Sequence, residues 1–164
     1  MKKFLVIFII FNTHISSSIN WSDPNECKLP DHSEFINSLV SKMTIEQKVG
    51  QIIMPEINSV SPNQAKKYHF GTILNGGGGF PNQNKNSTIE DWKTLSNKYY
   101  DVSTEVNGIK IPILWGTDAV HGHNNVIGAT IFPHNIALGA TRNSELLKKI
   151  GSAVAKEVAS TGII

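Results

Sequence analysis

Ile109-Lys-Ile-Pro-Ile-Leu-Trp-Gly-Thr-Asp-Ala-Val-His-Gly122 is the stretch on which the reading of this chain turns. Ile109 to Trp115 is an apolar run of strand length, with Pro112 near its start, where a strand tolerates it. The residues from Gly116 through Thr141 include one acid (Asp118), three histidines (His121, His123, His134), three asparagines and four glycines among interleaved hydrophobics. A plain surface loop has no need of Ile131-Phe-Pro133 or Ile136-Ala-Leu138. A plain core segment does not tolerate Asp118 and the histidines. The segment therefore reads as a long ordered loop that folds back on the protein and holds polar groups in place. Ordered loops on a rigid strand are where binding residues concentrate.

Upstream, Ser87-x-x-Glu90 opens a helix. Its Trp92, Leu95, Tyr99, Val102 and Val106 fall three and four apart in one apolar stripe, which makes Trp92 and Tyr99 core residues, and Gly108 ends it. Phe70-Gly-Thr-Ile-Leu74 reads as a short buried strand that runs into Gly76–Gly79. These glycines admit two readings: a flexible turn, or backbone that must approach a ligand closely. A phosphate cradle does not fit, because no Gly-Lys-Ser/Thr ending is present and Pro81 with Asn82 to Asn86 stands where a helix should start. Thr44-x-x-Gln47 and Ser61-Pro-Asn-Gln64 are capping boxes. The first opens a helix with Ile45, Val49, Ile52 and Ile53 on one side, ending at Pro55; the second opens a short helix that closes near Tyr68. A helix before them aligns Phe35, Leu39 and Met43. Downstream, Asn143 or Ser144 caps a helix with Leu147, Ile150, Val154 and Val158 inward, Gly162 stops it, and Ile163-Ile164 begins another apolar run. Strand, helix, strand, helix is the grammar of a parallel α/β protein, in which ligands bind at the carboxyl ends of the strands. Gly76–Gly79 and Asp118 both lie at such ends.

Charge adds little. Fifteen basic residues stand against thirteen acidic ones, but Lys2 and Lys3 account for the whole excess. No basic stripe suggests a nucleic-acid partner, and Lys66-Lys67 and Lys148-Lys149 read as solvated helix faces. Lys2-Lys3 head an expected export signal over residues 1–18. Phe4 to Phe11 is its apolar segment, too short to span a bilayer, and Ser16 and Ser18 offer small residues for cleavage before Ile19. Residues 19–32, polar with Pro24 and Pro30, read as an N-terminal arm, and 33–164 as one α/β domain. The single cysteine, Cys27, has no internal disulfide partner. The expected location is secreted or periplasmic, with no stable membrane insertion once the signal is removed.

Asp118 suits recognition of a sugar. An ionised carboxylate accepts two hydrogen bonds from vicinal hydroxyls, and charged acceptors make the stronger bonds. Asparagine and histidine can donate or accept beside it. A metal site is the rival, since His121-x-His123 with Asp118 offers three ligands, but the spacing of a structural zinc site is absent. The histidines otherwise brace the loop through backbone hydrogen bonds. No Gly-x-Ser-x-Gly elbow supports a serine hydrolase.

Lys42-Met-Thr-Ile-Glu-Gln-Lys-Val-Gly-Gln51, Asn75-Gly-Gly-Gly-Gly79, Ile111-Pro-Ile-Leu-Trp-Gly-Thr-Asp-Ala-Val-His-Gly122 and Gly128-Ala-Thr-Ile-Phe-Pro-His-Asn-Ile-Ala-Leu-Gly-Ala-Thr141 together resemble the start of glycoside hydrolase family 3, nearest its β-glucosidase and exo-β-glucanase branch. The resemblance covers roughly residues 33 to 164 and implies the leading part of a (β/α)8 barrel, incomplete in this chain. It implies a retaining hydrolase that releases terminal glucose from β-glucosides or β-glucan oligosaccharides, with no cofactor and no metal. On that resemblance Asp118 binds the hydroxyls of the terminal sugar, Gly77 and Gly78 line the pocket wall through their backbone, and His121 supports the loop. No catalytic residue is assigned within this chain: the family's nucleophile and acid/base come later than Ile164, so the 164 residues alone are expected to be inactive. Family members that act as β-N-acetylhexosaminidases usually carry Asp-x-Glu-Gly-Gly where Asp118-Ala-Val-His-Gly122 stands, which favours the glucosidase reading. A β-N-acetylhexosaminidase of the same family and a noncatalytic sugar-binding remnant are the alternatives. If the leader is an export signal, N-terminal sequencing of extracellular or periplasmic protein should read from near Ile19, whereas an intact Met1 on cytoplasmic protein would rule it out.

Overall fold

Two parallel strands set the frame. In a computed structural model that describes residues 31–163, β1 (Thr72–Asn75) pairs with β4 (Leu114–Thr117), the register matching Ile73 with Trp115 and Asn75 with Thr117. The expected leader, most of the arm, Cys27 and Ile164 lie outside the described residues. The other edge of β1 is also used: Leu74 N–H donates to the Pro55 carbonyl (3.0 Å) and Ile57 N–H to the Leu74 carbonyl (2.9 Å), a parallel bridge at Glu56. Three extended segments thus run side by side in one direction. Sequence alone shows only two of them, because Pro55–Ile57 is too short to display a strand's alternation. Helices intervene between β1 and β4, as the α/β reading expects. Two or three parallel segments do not close a sheet into a barrel.

The helices begin where side chains can replace missing backbone partners. α2 (Ile45–Gln51) and α3 (Pro62–Tyr68) both open on complete capping boxes, Thr44 with Gln47 and Ser61 with Gln64, and Pro62 occupies the first turn of α3. α4 (Ile89–Asp101) follows the same device one residue later than expected: Thr88 and Asp91 form the box. Ser87 is buried instead, its hydroxyl turned to the Pro81 and Asn84 carbonyls (2.8 and 2.7 Å). Asn143 caps α6 (Ser144–Ser160). α1 (Ser33–Ser41) and α5 (Asn135–Ala140) are the other α-helices among the described residues.

Two sequence expectations fail at the same place. The stripe through Val102 and Val106 suggests a helix running to Gly108, yet α4 ends at Asp101 and Val106 belongs to β2 (Thr104–Val106), which forms an antiparallel hairpin with β3 (Ile109–Ile111). Asn107 and Gly108 both take positive φ (50° and 76°), the left-handed pair that a tight hairpin turn needs. The expected strand over Ile109–Trp115 is therefore two strands, broken at Pro112, which has no N–H for a continuous ladder. α1 and α2 end at Ser41 and Gln51, short of the expected stripes; Met43 is buried, but Phe35 (54%), Ile45 (69%) and Ile52 (86%) are exposed among the described residues. α6 likewise buries no residue fully, although Ile150, Val154 and Val158 are half-buried.

The core lies between the strands and α4. Trp92 and Tyr99 from α4 meet Trp115 from β4 with ring centroids 6.0 and 5.7 Å apart, and Ile73, Ala65, Val126 and Ile163 fill in around them. Edge-to-face and tilted packing at these distances adds to area burial, and removing such a ring costs about 3–5 kcal/mol. The long loop after β4 joins this core through His123, which is 1% exposed and lies 5.9 Å from Trp92. Thr161 Oγ1 donates to the Val158 carbonyl (2.6 Å), so its lone pairs accept from His123 Nε2–H at 2.9 Å. His123 Nδ1 is then a bare, buried nitrogen without a partner among the described residues. Glu157, one turn earlier on α6, accepts from both the backbone N–H and the hydroxyl of Thr130. Two contacts from α6 thus hold the loop down.

Burial pushes the His123 pKa below its ordinary value, outweighing the opposite pull of the Glu157 carboxylate. The unfolded chain takes up this proton near pH 6.5 while the folded chain resists it, so the imidazole's contribution to stability is present above about pH 6.5 and lost as pH falls from there through the folded value. In urea unfolding, stability should decline from about pH 6.5 towards pH 5. His123→Gln, which can still donate to Thr161 but does not titrate, should flatten that decline; an unchanged slope in the variant would contradict the assignment.

Candidate functional site

The register of the strands aligns the candidate residues. Asn75 and Thr117 are the last paired residues of β1 and β4, so Gly76 and Asp118 leave the ladder side by side at the carboxyl ends. The chain turns sharply after Asp118. Ala119 takes φ 44°, a left-handed conformation that disfavours any residue with a Cβ. Such strain tends to sit at functional sites. Asp118 is exposed, and no hydrogen bond joins its carboxylate to another described residue. It is free to accept from a ligand.

On the other side, Gly76 to Gly79 form a tight turn closed by Gly79 N–H to the Gly76 carbonyl (3.0 Å). Gly77 and Gly78 sit exposed at its tip. Neither has a positive φ, and a Cβ on either would meet nothing within 4 Å. The turn itself therefore does not require glycine at these two positions. Gly79 is different: a Cβ there would collide with Glu56 Oε1 and come 3.1 Å from Asn75 Cβ. The two loops are joined by Asn125, whose Nδ2 donates to the Gly76 carbonyl at 2.7 Å. Beneath them, Trp115 Nε1 donates to Asn75 Oδ1 at 2.7 Å inside the core.

The three histidines go separate ways. His121 Nδ1 donates to the Phe132 carbonyl (3.0 Å) and Phe132 N–H returns to the His121 carbonyl (2.9 Å), a double tie across the loop. His123 turns inward to Thr161. His134 Nδ1 accepts from Ile136 N–H (3.3 Å) and caps α5, and its ring meets that of His121 edge-on with centroids 5.4 Å apart. Since His121 and His123 bind opposite parts of the protein, they do not converge with Asp118 on one point, and no group of three or more His, Cys, Asp or Glu side chains among the described residues is placed to hold a metal ion. Gly122 lies between them at φ 78°, where a Cβ would strike the Thr130 carbonyl, so glycine is required for the loop to close on itself.

Glu56, Asn58 and Asn125 are the residues that sequence reasoning missed. No spacing flags them, because their proximity to the glycine turn comes from strand pairing across 20 or more residues. Alongside β1 and beyond it, Ile57, Val60, Phe80 and Tyr99 border a smaller cavity of about 320 Å³. A longer groove of about 530 Å³ runs between the loop and α6, from Thr117 and Ala119 past Phe132 to Leu147 and Val154.

Comparison with known proteins gives a consistent answer. A family model for the glycosyl hydrolase family 3 N terminal domain matches residues 44–164. The chain is 34% identical over 143 residues to the lysosomal beta glucosidase of Dictyostelium discoideum and 25% identical over 134 residues to the periplasmic beta-glucosidase of Salmonella typhimurium. Each alignment takes in 79% of this chain, but the chain spans only 17% and 15% of those relatives' lengths. The crystal structure of an exo-1,3/1,4-beta-glucanase from Pseudoalteromonas sp. superposes with a TM-score of 0.74 at 50% identity, over 83% of this chain and 17% of that one. The family model covers well over half of the chain and the structural match agrees with it: the chain belongs to glycosyl hydrolase family 3.

Proposed function

We propose that this chain supplies one side of the sugar pocket of a β-glucosidase or exo-β-glucanase, a retaining enzyme that releases terminal glucose from β-glucosides or β-glucan oligosaccharides. The observation that carries the reading is that Gly76 and Asp118 directly follow Asn75 and Thr117, the last paired residues of neighbouring parallel strands, at the carboxyl ends where barrel enzymes of this architecture bind substrate. Family membership and the relatives' names support the substrate class.

In this reading Asp118 accepts hydrogen bonds from hydroxyls of the terminal sugar. Among the described residues its carboxylate has no hydrogen-bond partner to give up. The Gly77 and Gly78 backbone forms the facing wall: glycine stands where the turn does not need it, which is explained if the missing side chains leave room for a ligand. His121 supports the loop through its tie to Phe132. Retaining hydrolysis needs two carboxyl groups about 5–5.5 Å apart, one as nucleophile and one as acid/base. We assign neither role to a residue of this chain, since Asp118 binds rather than attacks in this account. Export to the periplasm or outside the cell is part of the same proposal. It is supported by the leader's residue pattern and by the periplasmic location named for the Salmonella typhimurium relative.

The test is Asp118→Ala in the natural protein that carries these residues, assayed on an aryl β-glucoside. Hydrogen bonds to a charged group are worth roughly 1.5–3 kcal/mol each, so kcat/KM should fall by at least about tenfold per bond lost. The thermal midpoint should hold, because the side chain is exposed. A folded variant with near-normal kinetics would exclude the role.

A further inference from the structure

Beyond its one internal hydrogen bond, from Gly79 N–H to the Gly76 carbonyl, the glycine turn is held from outside. Its carbonyls are taken by side chains from the two flanking segments. Asn125 Nδ2 donates to Gly76 O from the β4 side, and Asn58 Nδ2 donates to Gly78 O at 3.0 Å from the Pro55–Ile57 side. Asn58 is itself set by Glu56, whose Oε2 accepts from the Asn58 backbone N–H at 2.6 Å. The other carboxylate oxygen does something different. Glu56 Oε1 is buried, has no hydrogen-bond partner among the described residues, and fills the space that a Cβ on Gly79 would need. A buried carboxylate oxygen without a donor is costly, and such a group calls for an explanation in a folded protein. Packing alone does not supply one, since an apolar side chain would fill the same space more cheaply.

We infer that Glu56 is a positioning residue for the pocket. Its carboxylate grips the glycine turn from beneath, through Asn58 at one oxygen and contact with Gly79 at the other, and so fixes the path of the Gly77–Gly78 backbone. The inference rests on the reading of that turn as the pocket wall. Glu56 is half-buried, on the edge segment that neighbours β1, and acts through other residues. Its loss should therefore weaken ligand binding without removing a reacting group, a change in KM more than in kcat.

The experiment is a set of variants in the natural protein, each followed by thermal midpoint and by steady-state kinetics on an aryl β-glucoside. Glu56→Ala should raise KM by about fivefold, the change expected for one neutral hydrogen bond, with a smaller change in kcat. Glu56→Gln, which keeps the length and an acceptor for Asn58, should restore most of the KM. Asn58→Ala should resemble Glu56→Ala, and combining the two should add little, since they act along one path. Gly79→Ala should raise KM in the native background and less so beside Glu56→Ala, where the colliding oxygen is gone. Gly77→Ala and Gly78→Ala report on the underlying reading. They face open space, so if both leave KM unchanged, the turn is not at the ligand and the pocket-wall reading fails. If they raise KM while Glu56→Ala and Asn58→Ala do not, the pocket stands and the role of Glu56 is overturned. A fall in thermal midpoint with KM unchanged would also overturn it, by making Glu56 purely structural.

Discussion

The hydrogen bond from Trp115 Nε1 to Asn75 Oδ1 is the contact on which the rest depends. Both residues are buried, and a buried amide or indole without its partner is penalised far more than a surface one. The bond joins β1 to β4 diagonally, from Trp115, which pairs with Ile73, to Asn75, the last residue of β1. It therefore penalises any slip of the pairing, and a slip of one residue would exchange the two faces of the strand. With the register held, Gly76 and Asp118 emerge together. Trp115 also packs against Trp92 and Tyr99, so the same side chain ties the site to the hydrophobic core.

Much of this was legible where the signal is local. Thr44 with Gln47 and Ser61 with Gln64 act within one helical turn, so four residues of sequence contain the whole interaction. Asp118 and the glycines could be placed at strand ends because each comes directly after an apolar run. The start of α4 was read one residue early, because Ser87 and Thr88 both precede an acid by three residues. Only the position of Ser87 over the Pro81 and Asn84 carbonyls removes it from capping. The hairpin at Asn107-Gly108 was hidden by valines at 102 and 106, whose four-residue spacing mimics a helix although the second belongs to a strand. The Glu56 segment was not legible, since a single parallel bridge leaves no pattern in a sequence.

The site divides its tasks by burial. His123, Asn75 and Trp115 lie inside and hold the loops, whereas Asp118, Gly77 and Gly78, which we propose face the ligand, lie exposed. The braces come from three directions: α6 through Thr161 and Glu157, the loop itself through His121 and Phe132, and the edge segment through Glu56 and Asn58. Fixing polar groups by several independent contacts is what preorganised binding requires, because the ordering cost is met in folding rather than at the encounter. It also explains why three histidines in one loop need not mean a metal: each ring nitrogen that is used has a distinct structural partner.

The most direct test of this account is a crystal structure of the natural protein with glucose bound. The account predicts that the sugar lies across the carboxyl ends of β1 and β4, with Asp118 oxygens within hydrogen-bond distance of its hydroxyls and the Gly77–Gly78 backbone in van der Waals contact with the ring. Glucose bound elsewhere, with Asp118 facing solvent and the glycine turn untouched, would contradict it.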